Sequence, residues 1–348
     1  MKGMKIGIDF GSSSLKIYAE GKGIVIDEPA VVAIDNTTGN PIAFGKVADK
    51  VDGRCVDDIV ISKVIRNGVI SDFVMAERML RYYLQRVCGN RIYKPNVIAA
   101  LPCNISNLEK KVFHDVINLA GAGRVCMVEG ILASAIGCGI PTDKKEKRLV
   151  LDIGHHITEY AVVSMGEVVT SGTIRQGSDK IDKIIINHLK KDRDILIGPH
   201  TAREIKNKIV SASPRNCEIA LFASGKSYLD NMPISFEITS TELFPYVDEQ
   251  INNIVNEITN NILQIPQEIF DEVNKFDVMI CGGGALTFDI AKRISNSLDM
   301  RCSVVEEPRF VKINGLGSLV SNKELLYNNG YRFIFKDEID DRMKKKGV

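Results

Sequence analysis

The chain has 348 residues, 45% hydrophobic and 26% charged, the proportions of an ordinary soluble globular protein, which exclude disorder and a fibrous fold and accommodate two domains of usual size. The 45 Lys and Arg nearly cancel the 44 Asp and Glu, which argues against a dedicated nucleic-acid binder. The longest apolar stretches, such as Val97 to Leu101, fall far short of the roughly 20 residues a membrane-spanning helix needs.

In chain order, Met1 to Lys5 carries no apolar signal region and runs into a strand-like segment. The eight cysteines show no CxxC pair or regular spacing, so the expectation is a reducing cytosol with buried free thiols. The first landmark is Ile6-Gly7-Ile8-Asp9-Phe10-Gly11-Ser12-Ser13-Ser14-Leu15-Lys16-Ile17-Tyr18. It reads as a buried strand, an Asp, an apolar residue, a Gly, a polar turn and a second strand, which together make a β-hairpin. Ala76, Met79, Leu80, Tyr83, Leu84 and Val87 predict an amphipathic helix. Val97 to Leu101 reads as a strand. A helix follows it, opened by the capping box Ser106–Glu109, with Leu108, Val112, Val116 and Ala120 on one face.

At Leu149 the hairpin pattern returns: Leu149-Val150-Leu151-Asp152-Ile153-Gly154-His155-His156-Ile157-Thr158-Glu159-Tyr160-Ala161. Thr201 with Glu204, and Thr239 with Glu242, open further helices, the second carrying Phe244, Val247, Ile251, Ile254, Ile258 and Ile262 toward a core. Phe276 to Cys281 is a strand, followed by Gly282-Gly283-Gly284-Ala285 and a helix with Leu286, Ile290, Ile294 and Leu298 on its apolar face. Strands and helices alternate, the pattern of an α/β protein.

A turn of small residues presents successive backbone N–H groups, which bind phosphate oxygens. An Asp before each turn can hold water around Mg²⁺, an ion that keeps several waters of its own. Two such hairpins, Asp9 leading one and Asp152 the other, would clamp a nucleotide's phosphates and metal between two domains. The late glycine run adds a third phosphate-type turn.

With these motifs in place, the chain resembles the actin-fold ATPases and specifically the MreB family of bacterial actins, over roughly residues 4 to 320. Further stretches carry the likeness: Glu28-Pro29-Ala30-Val31-Val32-Ala33-Ile34, Asn67-Gly68-Val69-Ile70-Ser71-Asp72-Phe73, Ala135-Ile136-Gly137-Cys138-Gly139-Ile140-Pro141 and Leu196-Ile197-Gly198-Pro199-His200-Thr201-Ala202. The resemblance implies an actin-like, duplicated ribonuclease-H-like fold with a nucleotide cleft between two domains. Domain I would hold residues 1–142 and 314–348, with a small subdomain near 32–67. Domain II would hold 143–313, with a small subdomain near 180–243. The resemblance also implies ATP and Mg²⁺ as cofactors and homopolymer filaments at the inner face of the cytoplasmic membrane. Cell-wall synthesis proteins, or another MreB, would be partners.

Carried onto this sequence, the phosphate-binding set is Gly11, Ser12, Ser13, Ser14, Lys16, Gly154, His155, His156, Gly282, Gly283, Gly284 and Ala285, with Lys206 and Lys208 near the ribose and Asp9 and Asp152 at the metal. Several positions depart from the family pattern. His155 and His156 replace glycines of the second phosphate loop. The imidazoles would either donate N–H bonds to phosphate, best if protonated, or fill an emptied γ-phosphate space. Gly130 stands where the family has its catalytic Glu, and Glu129, one residue earlier and about 100° around the expected helix, is the remaining candidate acid. Lys208 replaces a Glu expected at the ribose, and Lys16 replaces a usually apolar residue. The Lys16 cation would partly offset the lost backbone donors, while the other departures predict weak hydrolysis.

For membrane contact the resemblance points to the loop Gly89-Asn90-Arg91-Ile92-Tyr93-Lys94-Pro95. Ile92 and Tyr93 form its apolar pair, and Arg91 and Lys94 would meet anionic headgroups at about 1 kcal/mol each. The tail from about Ser321, ending in Lys344-Lys345-Lys346-Gly347-Val348, reads as a solvated end. Other functions of the same fold are a small-molecule kinase, a chaperone ATPase and a pseudo-ATPase scaffold for another MreB. No kinase substrate insertion and no peptide-binding domain can be located.

Overall fold

The repeated hairpin seeds a repeated sheet. In the computed structural model, which describes residues 3–52, 58–89 and 93–322, Lys5–Phe10 turns back on Ser14–Ala19 and that strand on Gly23–Pro29. Asn96–Leu101 adds in parallel to Lys5–Phe10, and Arg124–Glu129 in parallel to Asn96–Leu101. The second sheet repeats each step. Arg148–Ile153, Thr158–Ser164 and Glu167–Ile174 form the antiparallel meander, and Val278–Cys281 and Cys302–Val304 add in parallel on the other side. Both sheets are five-stranded with the same order.

Parallel neighbours need crossovers, and helices supply them. Phe73–Cys88 and Asn107–Leu119 cross over in the first half, and Ser240–Ile262 and Ile290–Leu298 are among those of the second. Their starts follow from local chemistry. The Asp72 side chain accepts from the Met75 N–H at 3.1 Å, Ser106 and Glu109 cap each other reciprocally, and Thr239 Oγ1 accepts from the Glu242 N–H at 3.2 Å.

Buried side chains form a core on the outer face of each sheet and a third between them. Ile6, Ile8, Met79 and Phe113 belong to the first, and Leu151, Ile205, Val247 and Ile251 to the second. In the middle layer, helices Gly130–Gly137 and Val311–Ser321 pack on one another and on strands of both sheets. Gly137 and Gly315 allow that approach, because a Cβ on either would collide with the backbone of the facing helix. Two smaller three-stranded sheets lie apart: Val31–Asp35 between Pro41–Phe44 and Ile59–Lys63, and Ala220–Ser227 between Ile195–Leu196 and Pro233–Thr239.

Three sequence expectations need correction. The helix assigned to Thr201 begins at Pro199, whose fixed φ suits a first helical position. The helix assigned to Leu286 begins at Ile290, because Gly283–Leu286 closes a tighter 3₁₀ turn that leaves Leu286 exposed. On Asn107–Leu119 the bulkier Phe113 sets the buried stripe, with Val116 and Ile117, and Leu108 is exposed.

Candidate functional site

The two hairpins close by the same backbone bond. The Gly11 N–H donates to the Ser14 carbonyl at 3.0 Å, and the Gly154 N–H to the Ile157 carbonyl at 2.9 Å. Strand register then decides what stands opposite each Asp: Lys16 opposite Asp9, and Glu159 opposite Asp152. A cleft of about 390 Å³ lies between the hairpins, at the carboxyl ends of the central strands, where open α/β sheets collect ligands. The structure brings together there Asp9, Gly11, Ser12, Ser13, Ser14 and Lys16 from the first hairpin. Asp152, Gly154, His155 and His156 come from the second, and Gly282 and Gly283 from the glycine turn.

On the first side, Lys16 is nearly buried. Its Nζ donates to Ser14 Oγ at 2.7 Å and stands 3.7 Å from Asp9 Oδ2. On the second, the cation comes from a different element. Lys312, in the first turn of Val311–Ser321, places Nζ 3.0 Å from Asp152 Oδ2 and 3.3 Å from Glu159 Oε2. Asp152 Oδ2 also accepts from Ser134 Oγ at 3.0 Å, and Glu159 Oε1 accepts from the Cys103 N–H at 2.6 Å. Burial pushes the Glu159 carboxyl up, against the pull of Lys312. Burial also works against charge on Lys312, but Asp152, Glu159 and Asp9 outweigh it and hold the ammonium well above the usual lysine value.

The His155 and His156 rings lie 4.7 Å apart. Burial, then the neighbouring Lys206 and His156, push His155 down to about 2. Burial also lowers His156, partly offset by Asp179. His156 Nδ1 accepts from the Asn67 N–H at 3.4 Å, so the neutral ring carries its one proton on Nε2. Without an anion beside them both imidazoles are held neutral, and a neutral ring still has one N–H to donate. The pair lines the cleft, and nearby Ser12 Oγ accepts from the Gly68 N–H at 3.4 Å.

Other expected residues lie elsewhere. Glu129 is not on a helix: it ends strand Arg124–Glu129 as the N-cap of Gly130–Gly137, and it does not line the cleft. Lys206 is buried in an ion pair with Asp182 at 2.9 Å and donates to the Ser178 carbonyl at 3.2 Å. Lys208 faces solvent, paired with Glu204 at 2.7 Å. The helical phase of Pro199–Ile209 turns Arg203 and Asn207, four residues apart, into the cleft in their place. Gly284 and Ala285 do not line the cleft, and Gly284 is tight against Ile153. In the membrane-loop reading, Tyr93 is half exposed, while Asn90, Arg91 and Ile92 lie outside the described residues, as does everything after Asn322.

Sequence reasoning missed Arg203, Asn207 and Lys312. For Lys312 a signal existed, a lone charge in the apolar run Phe310 to Val320. Among the described residues no group of three His, Cys, Asp or Glu could hold a metal ion, no helix is long and apolar enough to cross a membrane, and the cysteines are free thiols.

Comparisons with known proteins agree with this geometry. A family model described as MreB/Mbl protein matches residues 3–328. The cell shape-determining protein Mbl of Bacillus subtilis is 32% identical over 324 residues, covering 92% of this chain and 97% of the relative. The cell shape-determining protein MreB of Escherichia coli K12 is 31% identical, covering 87% and 89%. Among solved structures, MreB5 of Spiroplasma citri bound to ADP superposes with a TM-score of 0.85 at 25% identity, over 94% of this chain and 98% of that one. A MamK double helical filament shares the fold alone, with a TM-score of 0.74 at 14% identity.

Proposed function

Since the chain belongs to the MreB/Mbl family of actin-like proteins, we propose that it binds ATP and ADP in the cleft and polymerises into filaments that organise cell shape and cell-wall synthesis at the inner face of the cytoplasmic membrane. The single observation that carries the nucleotide reading is the pair of matching hairpins, whose turns meet across one cleft with Lys16 and Lys312 on its floor. The solved MreB5 structures bound to ADP and to AMPPNP support it. In this reading Ser12, Ser13 and Ser14 take the phosphates, and Asn207, with both a donor and an acceptor, takes the ribose. In this reading the described residues within 1–142 and 314–348 belong to one domain and those of 143–313 to the other. Tyr93 contributes to membrane contact.

Gly130 favours slow hydrolysis, because no carboxylate lines the cleft from the helix it opens. The same feature favours a second role, a pseudo-ATPase scaffold that joins filaments of another MreB. Negative-stain microscopy with and without ATP tests the main reading: nucleotide-dependent filaments are expected. A protein that stays monomeric, or whose melting temperature does not rise at millimolar ATP, overturns it. Filaments formed only with a second MreB would favour the scaffold.

A further inference from the structure

Resting on the nucleotide reading above, we propose that the Lys312 ammonium takes the place of a divalent cation in this cleft, so that nucleoside di- and triphosphates bind without metal. Magnesium does not fit the residues present. Of the two carboxylates expected to hold it, Asp152 is nearly buried, and its Oδ2 is engaged by Lys312 at 3.0 Å and Ser134 at 3.0 Å. Asp9 has Lys16 at 3.7 Å. Mg²⁺ sheds water reluctantly and requires near-octahedral oxygen ligation. A hydrated ion beside Asp152 would have to displace the ammonium or stand against it, cation against cation in a partly dry site.

Three further observations point to a role for this lysine. It sits in the first turn of Val311–Ser321, where the helix dipole disfavours a positive charge, so helix stability does not explain it. Its neighbour at 130 is glycine, where a Cβ would stand 3.3 Å from Nζ and 3.1 Å from the Leu101 carbonyl oxygen and crowd the site. An ammonium has three N–H groups; Asp152 and Glu159 take two, leaving one for a phosphate oxygen in the cleft that Lys312 lines. Of the charged side chains lining that cleft, five are Lys or Arg and four are Asp or Glu, a positive excess without any metal.

The test is the affinity of wild-type protein for ADP and AMPPNP, measured calorimetrically in EDTA and in millimolar Mg²⁺. Affinities that differ by less than about tenfold are expected, and binding tighter in Mg²⁺ by that factor or more overturns the inference while leaving the nucleotide reading intact. No binding in either buffer overturns both. Lys312→Met should acquire metal dependence, losing about tenfold or more in EDTA and regaining it in Mg²⁺, and unchanged EDTA binding by that variant would count against the proposal. If the variant does not fold, the wild-type comparison still decides.

Discussion

Gly130 and Lys312 stand in close contact. A Cβ on Gly130 would stand 3.3 Å from the Lys312 ammonium and 3.1 Å from the Leu101 carbonyl oxygen, so any side chain at 130 presses on the lysine and meets its charge. Gly130→Glu alone is therefore expected to yield an ion pair with Lys312 rather than a free base, with phosphate release unchanged. Adding Lys312→Val frees the carboxylate, and in millimolar Mg²⁺, which restores nucleotide affinity to a variant without the lysine, release should rise by roughly a hundredfold or more, the usual scale of general-base assistance. Equal rates from the single and double variants would show that Lys312 does not tie up the new carboxylate.

The buried imidazole makes stability depend on pH in a calculable direction. His155 titrates at about 2 in the folded protein and near 6.5 when unfolded. Between those values the unfolded chain takes up a proton that the folded chain refuses. Stability from this group is thus full above about pH 6.5 and falls as the pH drops, by up to about 1.4 kcal/mol per pH unit. His155→Asn should flatten the fall in melting temperature between pH 6.5 and 5. If variant and wild type lose stability in parallel, His155 is not the group responsible.

Much of this was legible because it rests on local pattern. The hairpins needed only Asp, Gly and alternating apolar residues, and the two sheets then follow one topology. Helical phase was less legible. In Ile205 to Ile209 the lysines attract attention, yet the turn of the helix buries Lys206, exposes Lys208 and presents Asn207. Glu129 was misplaced because a strand-to-helix junction cannot be located to one residue from propensity. Lys312 was missed because its partners, Asp152 and Glu159, are brought to it only by the packing of the middle layer.

Arg203 links the two halves beyond the histidines. Its Nη1 lies 3.1 Å from both carboxylate oxygens of Asp49, which is 4% exposed. Removing one partner strands the other, so Arg203→Ala should cost about 1–3 kcal/mol, below the figure for a fully buried pair because the arginine is partly solvated. The nucleotide-free protein should also open. Small-angle scattering would report a larger radius of gyration, and superimposable curves for variant and wild type would show that the pair does not restrain the cleft.

The hairpin of Ala220–Ser227 and Pro233–Thr239 carries strongly exposed apolar side chains, Phe222 at 76% on its first strand and Leu229 at 82% and Met232 at 62% in its turn. Apolar side chains left this exposed are costly in water, which makes the hairpin the expected association surface. These residues support little of the fold's own core, so replacing them should leave stability within about 0.5 kcal/mol. Phe222→Ser combined with Leu229→Asp is therefore expected to abolish sedimentable filaments while the melting temperature holds. Filaments of normal length from the double variant would move the subunit contact to another face. A collapse of the melting temperature would instead show that the hairpin packs inward.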